Sequence, residues 1–240
     1  MLTDQKTLVY CVSLRNSPRR QTFASNASKH SVPFEYFDAI SIDDLRKGAT
    51  VEGCRIDITN LNWTFHERPD PRRQLAPLLF AEIGCAYSHI LCWQRAKQRD
   101  VDYLVIFEDD AIICRRLEGI DVPTDADFLY LSNRMPRNSR GEACGYGCGM
   151  EGYILSRTGI SKCLEIFSIL YMPIDLQLIA HQQSQHPHGH GISRYRRRLG
   201  SDLYLNAYVT PQPYCFHPRE GGSQIFPLIV QSDDGAPSVA

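Results

Sequence analysis

Three consecutive carboxylates, Glu108, Asp109 and Asp110, follow directly on a five-residue apolar run, Tyr103 to Phe107. The run is rich in β-formers and predicts a buried strand. Acids at the mouth of such a strand repel one another and lose hydration. The chain must either carry them out into an acidic turn or offset them with a cation. Hard divalent ions such as Mg²⁺ and Mn²⁺ take oxygen ligands. Residues i and i+2 of an extended strand share a side. Glu108 and Asp110 are therefore expected to face one ion while Asp109 faces elsewhere. A solvated acidic turn is the plain alternative.

The chain around this strand alternates strand and helix signals. Thr7 to Leu14 reads as a buried strand, and Pro18 opens a helix after a turn bearing Arg15, Arg19 and Arg20. In open α/β sheets, ligands bind at the carboxyl ends of strands. Those arginines are thus either phosphate contacts or a solvated helix face. Phe34 to Ile40 is a second strand closed by Asp38, which suits either a ribose hydroxyl or the cap of a helix near Ser41. Lys47 to Arg73, with Pro69 and Pro71, reads as an irregular insertion packed down by Trp63. Glu82 to Arg99 has a helical apolar stripe. That helix runs straight into the central strand, which predicts its start across the sheet from the acids. Cys85, His89 and Cys92 lie on a neighbouring face, and both a zinc set and plain core packing fit them.

Further strands are expected at Asp127 to Ser132 and Met150 to Leu155. Helices are expected from Arg157 to Leu170, capped by Ser156, and from Pro173, with Asp175 in its first turn. His181, His186, His188 and His190 precede Arg194, Arg196, Arg197 and Arg198, a basic cluster that is either a solvated run or a contact for a phosphate-bearing or lipid surface. Leu203 to Val209 is a last strand, followed by a loop with His217, Arg219, Gly221, Gly222 and Ser223 that suits a flap over an anion.

This alternation predicts an α/β fold with a largely parallel sheet. At 240 residues one domain over 1–230 is expected, with a disordered tail at 231–240. A formal net charge of −1 gives no global drive toward nucleic acid. No run of apolar residues is long enough to span a membrane, and the N-terminus lacks a signal-peptide pattern. Nine cysteines, mostly in apolar segments, fit free thiols in a reducing compartment, so the cytoplasm is expected. There is neither a P-loop nor a GxGxxG after the first strand, so a nucleotide needs another anchor.

Four stretches together resemble glycosyltransferase family 25: VYCVSLRNSPRR near the N-terminus, FEYFDAI at 34–40, AEIGCAYSHILCW at 81–93 and VIFEDDAII at 105–113. GYILSRTGISKCL at 152–164 and PID at 173–175 are similar to two later motifs of that family. The resemblance implies a GT-A type, Rossmann-like fold. It implies a UDP-sugar donor, usually UDP-galactose, a Mn²⁺ or Mg²⁺ cofactor, inversion at the anomeric carbon, and a saccharide or glycolipid acceptor in lipooligosaccharide or surface polysaccharide synthesis. By resemblance Asp110 is the direct metal ligand and Glu108 its partner; His217, where related loops often lack a histidine, is the candidate third ligand. Donor contacts fall on Ser13, Leu14, Arg15, Arg20, Asp38, Glu82, Ser88, His89 and Asp109. Asp175 is the implied general base, with Glu151 in GMEGY its rival. Ala81 stands where the family usually has Gly. The competing enzyme class is a metal-dependent nucleotidyltransferase or phosphodiesterase using the same acids.

Overall fold

The computed structural model describes residues 5–57, 75–144, 149–182 and 203–217. The first apolar run forms β1 (Thr7–Ser13), and Pro18 leads into α1 (Arg19–Lys29), which buries Phe23 and Ala27 one turn apart. β2 (Glu35–Asp38) follows. Ser41 caps α2 (Ile42–Arg46), with Asp44 returning a bond to the Ser41 backbone. After β3 (Arg55–Ile56) comes α3 (Leu75–Gln98), which starts before the expected Glu82. Pro77 is its third residue, where no backbone donor is required. Asp100, at φ 51°, turns the chain into β4 (Tyr103–Glu108).

Then come β5 (Ile112–Ile113), β6 (Phe128–Tyr130) and β7 (Gly152–Ser156). Ser156 caps α4 (Arg157–Ile166) by accepting from the Gly159 N–H. This helix ends before the expected Leu170, because β8 (Ile169–Leu170) pairs with β3. Pro173 precedes α5 (Ile174–Ala180), and β9 (Ala207–Val209) and β10 (Cys215–Phe216) close the described chain.

The main sheet has the order β2-β1-β4-β7-β6-β9. Only β7 runs against the other five strands, so the sheet is mostly parallel, as expected. β4 is covered on both faces, which its unbroken apolar run requires. Leu104 and Ile106 pack into one core with Trp93, Phe128 and Tyr153. Val105 and Phe107 face the other, with Phe23 and Leu129.

Register brings the polar residues to one edge. Ser13 pairs with Asp38, and Val12 with Glu108. The Glu108 N–H donates to the Glu151 carbonyl, Leu131 to Gly152, and Thr210 to Tyr130. Asp38, Ser13, Glu108, Glu151, Ser132 and Thr210 thus stand in a row at the carboxyl end of the sheet, where such folds bind ligands. No helix among the described residues is long and apolar enough to cross a membrane. The Trp63 segment, Cys148, His186 to Arg198, the Gly221 to Ser223 flap and the tail after Val230 lie outside the described residues.

Candidate active site

The three acids fan out. The strand ends at Glu108, so its two-residue period does not continue to Asp110. Glu108 turns toward α3, where its Oε1 lies 3.4 Å from His89 Nε2 and 4.0 Å from Cys85 Sγ. Asp109 turns toward the β1–α1 turn, and its Oδ2 accepts from the hydroxyls of Ser13 at 2.7 Å and Ser17 at 2.5 Å. Arg19 Nη1 lies 3.7 Å from Asp109 and 3.2 Å from Asp110, binding the two acids to α1. Ser17 was not singled out in the sequence, because a serine in a turn has no pattern of its own.

Asp110 meets charges of both signs. Its Oδ2 lies 3.2 Å from His217 Nε2, and its Oδ1 is buried without a hydrogen-bond partner. Burial, then the Glu108 charge, pushes its pKa up to about 6, against the lowering pull of His217 and Arg19. His217 arrives through the antiparallel β5–β10 pair, whose Phe216–Ile112 register sets the next residue beside the acids. Asp110 therefore pairs with one imidazole, while among the described residues the ligand-type atoms that gather within 4.8 Å of one another are those of Cys85, His89 and Glu108. On the α1 side the acids border a cavity of about 660 Å³ lined by Pro18, Arg19, Thr22, Asn26 and Asp110.

The α3 expectation needs correction. The Cys85 turn, just past the expected start at Glu82, lies beside the acids and not across the sheet from them. Cys85 to Gln98 rises about 20 Å in a helix, while Tyr103 to Glu108 spans about 17 Å of strand. Doubling back therefore sets Cys85 level with Glu108. The cysteine–histidine set is corrected too. Cys92 is fully buried in the core, and Glu108 takes its place: ligand-type atoms of Cys85, His89 and Glu108 lie within 4.8 Å of one another.

Other α3 residues divide between packing and the site. Ser88 is fully buried, accepting from the Ile40 N–H at 2.8 Å and donating to the Gly84 carbonyl at 2.6 Å. Its hydroxyl clips the β2–α2 connection to α3. Glu82 Oε2 is buried without a partner, and burial followed by the Asp175 charge pushes its pKa up to about 8. Asp175 sits half-buried at the start of α5, close enough to act on both Glu82 and Cys85.

Around β1 the polar groups serve one another. Asp38 holds Arg15 at 2.9 Å and Arg20 at 2.5 Å, and these two hydrogen bonds keep its carboxyl below the usual range. Arg20 also donates to the Ser13 and Leu14 carbonyls and lies over the Tyr36 ring at 4.6 Å. Leu14 closes the turn by accepting from the Ser17 N–H. Arg20 therefore clamps β1, β2 and α1 together.

Beyond β4, Glu151 is 1% exposed, and Arg134 Nη1 lies 3.5 Å from it. Burial raises its pKa. Ser132 Oγ, Thr210 Oγ1, Gln182 Oε1 and both Glu151 carboxylate oxygens are buried without hydrogen-bond partners. Glu151, Ser132 and Thr210 stand along the edge from β7 to β9, while Gln182 donates to the Tyr130 hydroxyl and pairs with Leu205, two residues ahead of β9. Only Glu151 among them was legible as a candidate, since single polar residues at strand ends carry no sequence signature. His181, read as part of the histidine loop, is instead buried at the end of α5, with Nε2 3.2 Å from the Tyr171 hydroxyl.

The family model described as glycosyltransferase family 25 (LPS biosynthesis protein) matches residues 6–138. That span holds the β1–α1 turn, the Glu82 to His89 stretch and all three acids, and stops before Glu151, Asp175 and His217. A putative glycosyltransferase of Haemophilus influenzae is 34% identical over 102 residues, 42% of this chain and 31% of that protein. The lipooligosaccharide biosynthesis protein lic2B of Haemophilus influenzae is 30% identical over 177 residues, 64% of this chain and 60% of that protein. The lacto-N-neotetraose biosynthesis glycosyltransferase LgtB of Neisseria gonorrhoeae is 24% identical over 188 residues, 67% of this chain and 62% of that protein. The chain thus spans between 31% and 62% of the length of these curated relatives. With the strand-end acids, the arginine turn and the α3 stretch all inside the matched span, the chain belongs to glycosyltransferase family 25.

Proposed function

We propose that this chain is a metal-assisted, inverting glycosyltransferase that moves a hexose, galactose in the first instance, from a UDP-sugar to a saccharide acceptor of lipooligosaccharide or surface polysaccharide. The observation that carries this reading is Asp110, with one oxygen buried and bare and the other facing His217. Asp110, Glu108 and His217 are the residues that would hold Mn²⁺ or Mg²⁺. A divalent ion bound there offsets the diphosphate charge as the glycosidic bond breaks.

The chain's own groups divide the remaining work. Asp109, oriented by the Ser13 and Ser17 hydroxyls, accepts from a donor hydroxyl. Arg19 sets positive charge beside the leaving diphosphate. Asp175 takes the proton of the acceptor hydroxyl while that oxygen attacks the anomeric carbon from the face opposite the departing UDP. Asp175 suits this task better than Glu151, because it is half-buried while Glu151 is 1% exposed and engaged with Arg134. The names of the relatives, lipooligosaccharide and lacto-N-neotetraose biosynthesis proteins, support a saccharide acceptor.

UDP release from a panel of UDP-sugars, with Mn²⁺ and with or without saccharide, tests the reading. Turnover of one donor is expected, lost in Asp110→Ala and reduced about 10²–10⁴-fold in Asp175→Asn. Release of UDP from no donor, or an unaffected Asp110→Ala, contradicts it.

A further inference from the structure

His89 is buried between the core and the acids, and its protons can be assigned by elimination. Its Nδ1 lies 2.7 Å from the Tyr153 hydroxyl, and Trp93 Nε1 lies 3.0 Å from the same oxygen. The indole is a donor only, so Tyr153 must accept from Trp93. Among the described residues, the hydroxyl proton of Tyr153 then has one acceptor left, His89 Nδ1. Were Nδ1 itself protonated, a fully buried hydroxyl would be left with no acceptor, a costly arrangement. Neutral His89 therefore carries its proton on Nε2. The ring lies nearly parallel to Tyr153, with centroids 5.7 Å apart, so packing as well as bonding fixes its plane.

Nε2 is buried and makes no hydrogen bond in this structure; Glu108 Oε1 approaches it at 3.4 Å. By distance alone, Cys85, His89 and Glu108 pass as a zinc set. Ligation through Nε2 needs that proton to leave or move to Nδ1, and a proton on Nδ1 strands the Tyr153 hydroxyl proton without an acceptor. We propose that His89 is a positioning residue whose Nε2–H, fixed by the Trp93–Tyr153 pair, holds Glu108 Oε1 against α3 and leaves the other carboxylate oxygen to the ion centre. The role rests on the reading of Glu108 and Asp110 as that centre. It makes three core residues part of the site without any of them touching substrate.

The test has two arms. In the first, the tautomer of the metal-free full chain is read by long-range ¹H–¹⁵N correlation, with His89 assigned by its loss in H89Q. Nε2 is expected to be pyrrole-like and Nδ1 pyridine-like, and Y153F should mix or invert the pair. A pyrrole-like Nδ1 in the wild type overturns the proposal. So does a thiolate-to-Co²⁺ charge-transfer band on cobalt addition that C85S removes, since that result makes the three residues a soft-metal site.

In the second arm, Mn²⁺ affinity is followed by the resonance of free Mn²⁺. H89L should weaken it about 10–100-fold, while H89Q, whose amide reaches the Nε2 position, stays within about threefold of wild type. Equal affinity in wild type and H89L overturns the positioning role. D110A reports on the ion centre separately. If it binds Mn²⁺ as wild type does, the ion-centre reading fails, whereas an inverted wild-type tautomer defeats the positioning role of His89 alone.

Discussion

Glu82→Gln is expected to stabilise the protein at alkaline pH and to leave it nearly unchanged at acidic pH. Glu82 Oε2 is buried on α3 without a partner, and burial followed by the Asp175 charge moves its pKa from an ordinary 4.5 to about 8. Between those values the folded chain keeps a proton that the unfolded chain has released. Stability therefore falls as pH rises through this window, and the full loss is in place above about 8. Each pH unit of the window converts at about 1.4 kcal/mol, so the ceiling is about 5 kcal/mol. Water screens this half-buried group, which reduces the working figure to about 2 kcal/mol. Glutamine copies the protonated carboxyl in shape and cannot ionise. Urea unfolding in the presence of a chelator measures the difference. Wild type and variant should agree within about 0.5 kcal/mol near pH 4.5, and the variant should be about 2 kcal/mol more stable near pH 9. A difference that does not change with pH, or a more stable wild type near pH 9, refutes the view of Glu82 as an uncompensated buried acid.

Three further outcomes are expected. Because burial and Glu108 push Asp110 up to about 6, protons compete with the ion there; calorimetric Mn²⁺ affinity should rise about tenfold per pH unit below that value and level off above it, and a flat profile contradicts the assignment. Gly159→Ala drives a Cβ into the Asp127 carbonyl oxygen, a backbone atom that cannot swing away; a loss of about 3 kcal/mol is expected, and an unchanged melting temperature contradicts the α4 packing. Ser17→Ala leaves Asp109 with the Ser13 hydroxyl; a cost of about 1–3 kcal/mol should appear in KM for the UDP-sugar rather than in melting temperature, and an unchanged KM contradicts the orienting role.

What was legible in the sequence had a period or a cap behind it. The apolar runs of β1 and β4 exceed anything a surface loop tolerates, and the Ser41–Asp44 and Ser156–Gly159 caps occupy the positions their side chains suggest. What was not legible depends on distant partners. The end of α4 is decided by β3, which pairs with Ile169–Leu170. The early start of α3 is permitted because proline costs nothing in a first turn. Within the site, the acids could be found as a run, but their three directions could not, since each is set by another element: α3 for Glu108, the β1–α1 turn for Asp109, the β5–β10 pair for Asp110. In the sequence Tyr153 is one aromatic of the Met150 to Leu155 strand. Only the approach of Trp93 and His89 to its hydroxyl gives it a polar role.

An ion anchored by Asp110 that carries the diphosphate of a nucleotide sugar must bind in concert with the nucleotide. The most direct test is the coupling between Mn²⁺ and UDP, measured by titrating Mn²⁺ into the full chain with and without the nucleotide. UDP should tighten Mn²⁺ binding about tenfold or more, a coupling of about 1.4 kcal/mol, and Asp110→Ala should abolish both the binding and the coupling. Mn²⁺ binding that ignores UDP, or a coupling that survives in Asp110→Ala, contradicts the claim.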